Sequence, residues 1–123
     1  MRTDHQPSIK SILAGAIAFS LCSISTAYAQ DAVVADPTHY KVEFENDQVR
    51  VLRITYGPGE KSVMHEHPNS VAVFLTDIQA QFTFPDGNTV ARTSKAGEAR
   101  WTPATKHLPE NTGAAPFEVI LWS

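Results

Sequence analysis

The densest chemistry in this sequence is His65-Glu66-His67, two histidines separated by one residue. The run around them, residues 62–67, reads as a short strand ended by Pro68-Asn69. Successive side chains on a strand point to opposite faces, so His65 and His67 share one face and Glu66 takes the other. Two imidazoles side by side make a poor core, because each carries a ring donor and a ring acceptor that must be satisfied. A metal ion removes that difficulty, since neutral imidazole is a good ligand for zinc, copper, iron and nickel. The alternative is a wet outer face of an edge strand, where paired histidines need no partner.

The rest of the chain must position that pair. It has 123 residues, 10 Lys+Arg against 13 Asp+Glu for a net charge of −3, and one cysteine. That length suits one domain. Mild acidity with no basic cluster argues against a nucleic-acid partner. A single cysteine supports neither a disulfide framework nor a thiolate metal cage. Residues 1–29 have the three-part pattern of a secretory leader: Arg2 and Lys10, an apolar run over residues 12–24, then Ala27-Tyr28-Ala29 before Gln30. The run falls short of the ~20 residues of a membrane span, so no membrane partner is expected after cleavage. Cleavage after Ala29 would leave a cysteine-free domain in the periplasm or outside the cell.

Residues 30–38 are small and polar and read as a loose entry segment to a single domain over residues 39–123. No long 3.6-residue apolar period follows. Short β-rich runs appear instead, at residues 40–44, 49–56, 62–67, 71–76, 79–84, 89–93, 99–102 and 117–122, separated by turn residues. Pro85-Asp86-Gly87-Asn88 is a hairpin signal. The nearly continuous apolar run at residues 71–76 suggests a strand buried on both faces. Residues 109–116 read as a loop. The pattern predicts an all-β sandwich or barrel.

Gly59, five residues, then His65-x-His67 resembles the opening of the first cupin motif, and Gly97, five residues, Pro103-x-x-x-His107-x3-Asn111 resembles the second. The resemblance covers roughly residues 40–122 and implies a double-stranded β-helix, or jelly-roll barrel, with a metal at its mouth. His65, His67 and His107 carry over as ligands. Departures accompany the match. The motif's glutamate position falls on Val71 or Ala72, its closing glycine on Ile78 or Gln79, Thr105 replaces a glycine, and His107 arrives one residue early.

Around such a site, Val71 and Val73 are expected as apolar pocket wall. Gln81 lies on a strand that either lines the barrel or faces outward. Trp101 is a candidate pocket wall or dimer contact, and Glu110 a candidate fourth ligand or else a solvated loop carboxylate. Arg53 or Arg100 could hold a substrate carboxylate if it pointed inward. His39 reads as a surface residue, and Asn111 as a turn-forming asparagine. Three imidazoles leave a divalent ion (zinc, copper, manganese or iron) with open coordination positions and uncompensated charge, which favours an anionic ligand. Two functions follow: a metal-loaded module binding a small molecule, or a three-histidine, dioxygenase-like enzyme acting on a small anionic or oxygen-rich molecule. The resemblance also implies a homodimer.

Overall fold

The computed structural model describes residues 30–123 and Gly15. The expected leader, residues 1–29, otherwise lies outside the described residues. One short helix, α1 (Ala32–Ala35), precedes nine strands: β1 (Tyr40–Glu45), β2 (Arg50–Tyr56), β3 (His65–His67), β4 (Ser70–Phe74), β5 (Ile78–Thr83), β6 (Thr89–Ser94), β7 (Ala99–Thr102), β8 (Thr105–Asn111) and β9 (Phe117–Trp122). They form two antiparallel sheets, ordered β1-β2-β9-β4-β7 and β3-β8-β5-β6. The all-β jelly-roll expectation holds.

Strand alternation sorts each sheet into inner and outer rows. In the five-stranded sheet Val42, Leu52, Leu121, Ala72 and Arg100 lie opposite one another in register and form an inner row. The neighbouring row, Phe44, Val51, Trp122, Val71 and Trp101, lies on the outer face. The core sits between the sheets and is built from Tyr40, Leu52, Ile54, Tyr56, Ile78, Ala80, Phe117, Val119 and Leu121, with Phe74 packed against it.

Four local expectations need correction. The run at residues 71–76 is not buried on both faces, because Val71 is 38% exposed on the outer row. An apolar sequence run here marks a sheet with one uncovered face. Residues 109–116 are not all loop, since β8 continues through Pro109 to Asn111. Proline is tolerated there because its ring nitrogen faces the side of β8 beyond the end of β3, where residue 62 lies outside any strand and no ladder needs its N–H; its carbonyl accepts from the Ser62 N–H at 2.9 Å. The entry segment is not loose. Asp31 caps α1 by accepting from the Val33 N–H, Ala32 is buried, and α1 packs on β1 and β3.

His39, lastly, is buried rather than at the surface. Its ring stacks on Tyr56 at 4.2 Å and bridges Asp36 and Glu60, each at 2.6 Å. Burial opposes a charge on His39, yet the hydrogen bonds and charges of Asp36 and Glu60 outweigh it and raise its pKa above 6.5. Burial likewise opposes the Asp36 carboxylate, but the Ser62 hydroxyl and His39 hold its pKa below the usual value.

Asn111 fixes the end of β8. Its side-chain NH2 donates to the carbonyls of Ala115 (2.9 Å) and Tyr56 (3.3 Å), and its oxygen accepts from the Gly113 N–H (2.9 Å). Asn111→Ala should lower unfolding stability by about 2–3 kcal/mol in urea titration, because it strips partners from buried groups. A loss under about 0.5 kcal/mol would remove this residue from the account of how β8 is held. His39 sets a pH dependence of known sign. A folded pKa raised above the unfolded value gives stability fully present below about pH 6.5 and lost as pH rises through the folded pKa. His39→Gln should therefore cost roughly 1–3 kcal/mol at pH 6 and clearly less at pH 9, read from unfolding midpoints at both pH values. An equal cost at both would contradict the ion pairing.

Candidate metal centre

Three imidazoles meet between β3 and β8. His65 lies directly across from His107 in the antiparallel register, and His67 across from Thr105. All four residues occupy inward positions, so the His-x-His pair and the lone histidine of the second motif share one interior face. One ring nitrogen from each histidine lies within 4.8 Å of the others. His65 Nε2 and His67 Nε2 are 3.0 Å apart. The rings stand nearly edge to face, with centroids 4.7–5.2 Å apart.

Each ring is held from behind. His65 Nδ1 lies 2.8 Å from the Val63 carbonyl, which can only accept, so that nitrogen carries the proton and Nε2 presents its lone pair to the cluster. The Ser62 hydroxyl, 3.4 Å from the same nitrogen, donates to Asp36 at 2.6 Å, so a buried carboxylate stands one residue behind the ligand. Tyr40 packs on His65 at 4.6 Å and on His67 at 5.4 Å. Phe82 stacks on His107 at 4.7 Å with the ring planes 16° apart.

The electrostatics favour neutral rings. Burial, reinforced by His65, His107 and Arg50, pushes the His67 pKa down to about 3, and burial with His65 pushes His107 down to about 3. Burial also lowers His65, against its bond to Val63. Neutral imidazole is the ligating form. The donor set also fits a cation on a separate ground. His107 Nε2 is buried and has no hydrogen-bond partner among the described residues. A buried, unpaired nitrogen beside two others is the arrangement a shared ion would satisfy.

The cluster opens onto a cavity of about 470 Å³ between the sheets. His67 and His107 stand at one end, and Tyr40, Phe74, Phe82 and Phe84 form much of its wall. Among the described residues, no aspartate or glutamate lines it. The other sequence candidates distribute unevenly. Trp101 borders the cavity while 60% exposed. Val71, Val73, Gln81 and Glu110 do not line it. Val71 and Val73 point outward because Ala72 and Phe74 take the inner positions of β4. Gln81 and Glu110 pair with each other between the inward residues of β5 and β8. Arg53 lies on the outer face and pairs with Glu43 and Glu118, whereas Arg100 borders the cavity.

Sequence reading missed Tyr40, Ser62 and Arg92. Arg92 was recoverable: the hairpin at residues 85–88 places it opposite Ala80, in parity with inward Phe82. Tyr40 and Ser62 gave no local signal, because their roles depend on contacts distant in sequence.

No protein-family model and no curated protein matches this chain. Solved structures do. A cupin domain from Bordetella pertussis superposes with a TM-score of 0.63 at 22% identity, covering 68% of this chain and 88% of that one. A double-stranded β-helix protein from Klebsiella pneumoniae gives 0.54 at 22% identity, over 68% and 72% of the two chains. An RmlC-like cupin from Methanocaldococcus jannaschii gives 0.54 at 18% identity, over 72% and 82%. The chain therefore has the cupin fold, a double-stranded β-helix, with a three-histidine cluster inside it.

Proposed function

We propose that this protein is an exported cupin that holds one divalent metal ion through His65, His67 and His107 and binds a small molecule beside it. The observation that carries the reading is the convergence of three imidazoles, one ring nitrogen of each within 4.8 Å of the others, together with a buried His107 Nε2 that has no hydrogen-bond partner among the described residues. A bound ion would supply a Lewis acid with open positions for a ligand oxygen. The chain's own residues do the holding. Val63 fixes the His65 tautomer, Phe82 sets the plane of His107, and Tyr40 braces the other two rings.

Binding is favoured over turnover by the lack of an evident base. No carboxylate among the described residues lines the cavity. The Tyr40 and Tyr56 hydroxyls bond each other at 2.7 Å, and burial raises both pKa values well above 10. The second reading, a dioxygenase-like enzyme, is favoured by the open cavity that reaches His67 and His107. Iron as the resident metal would support it; zinc, copper or manganese fits either reading. Export to the periplasm or beyond rests on the leader pattern of residues 1–29.

Elemental analysis of protein recovered from the periplasmic fraction, with its amino terminus sequenced, should find about one divalent ion per chain and Gln30 first. His107→Ala should lose the metal and stay folded. Adding zinc to metal-free protein should stabilise it by about 4 kcal/mol at a thousandfold excess over the dissociation constant. Trace metal, with an unfolding midpoint unchanged by chelator, would end the metal assignment.

We further propose a homodimer across the outer face of the five-stranded sheet. Phe44, Val71, Trp101 and Trp122 are 38–60% exposed there, in one row that crosses every strand. Sedimentation velocity should show a dimer that Trp122→Ser converts to monomer. A wild-type monomer at high micromolar concentration would refute the dimer.

A further inference from the structure

The two gaps between the sheets differ. On one side the edge strands are β1 and β3, and α1 packs on both. On the other side the edges are β6 and β7, and residues of both strands line the cavity. Each of those edges presents one arginine. Arg92 lies opposite Ala80, and Arg100 opposite Ala72, both inward register positions. Both border the cavity, and the Arg100 guanidinium lies 5.5 Å from the centre of the Phe74 ring. Arg100 has a single carboxylate neighbour, exposed Glu98 at 3.2 Å. Arg92 has none within 4 Å among the described residues.

The cavity wall beside them is apolar, with Phe74, Phe82 and Phe84 and, among the described residues, no acidic side chain. Solvated surface arginines would alternate with acidic partners or sit on outer rows, as Arg53 does with Glu43 and Glu118. Two guanidiniums on exposed edge-strand positions bordering an apolar chamber instead match a ligand with a greasy body and an anionic end.

We propose that the cavity takes an amphipathic monocarboxylate, its apolar body between the phenylalanines and its carboxylate on Arg92 and Arg100. This inference rests on the reading of the cavity as the ligand site but not on the metal.

The test uses metal-free purified protein and three probes: 4-phenylbutyrate, 4-phenyl-1-butanol and butyrate. Calorimetric titration should show 4-phenylbutyrate binding at least tenfold more tightly than either of the others. The double variant Arg92→Gln/Arg100→Gln should erase the preference for the acid over the alcohol and leave the alcohol's affinity unchanged. Both positions are exposed on edge strands, and an unchanged urea midpoint verifies that the variant is folded. Equal binding of acid and alcohol, or a preference that survives the double variant, overturns the proposal. So does acid binding that needs added zinc and is lost in His107→Ala alone, since the carboxylate would then sit on the metal. Failure to bind zinc with the arginine-dependent preference intact removes the metal reading and leaves this one standing.

Discussion

The antiparallel pairing of β3 with β8 is the constraint from which the site follows. It sets His65 across from His107 and, by alternation, brings His67 to the same face. A one-residue slip of β3 would turn His65 and His67 out of the interior and away from His107. β3 is only three residues long and cannot hold that register alone. It is flanked on its free side by the entry segment, where the Glu66 N–H donates to the Gln30 carbonyl at 2.7 Å and Asp31 forms a parallel bridge. From behind, Asp36 reaches His65 through Ser62 and ties the same segment to His39 and Glu60. The residues that precede the first strand are therefore as much a part of the site as the barrel is.

Polarity in the molecule is arranged to the same end. The buried acid, Asp36, has a cationic partner in His39 and a donor in Ser62, so its charge is compensated locally. The imidazole cluster has no such partner and stays neutral through burial. A cation placed among neutral rings keeps its full charge, because no protein carboxylate stands beside it. The two arginines that border the cavity place positive charge beside apolar walls, a combination that selects by both charge and shape.

Much of this was written in the sequence. Strand alternation alone put His65 and His67 on one face, and the resemblance of the Gly59 and Gly97 segments to the two cupin motifs implied His107 as their partner. Asn111 was legible as a turn-forming residue. Reading failed where pairing between distant segments outvotes local composition. Pro109 marked residues 109–116 as loop, yet β8 accommodates it because its nitrogen faces a side where no ladder needs an N–H. The apolar run at residues 71–76 suggested double burial, but one of its faces is the uncovered outer row, which is why Val71 and Val73 left the pocket. His39 was unreadable because Asp36, Glu60 and Tyr56 come together only in the folded chain. For Glu110, a location near His107 in sequence did not survive strand parity, which turns it outward beside Gln81.

The bracing of β3 by Gln30 and Asp31 has a consequence for how the amino end tolerates proteolysis. In most small domains the first residues fray, and exopeptidases nibble them without effect on the interior. Here the Gln30 carbonyl braces the histidine-bearing strand, the Asp31 carboxylate caps α1, and Asp31 also ion-pairs with Arg50. Removing Gln30 and Asp31 would free the edge of the strand that aims the imidazoles and uncap α1, so damage to this short segment reaches the interior.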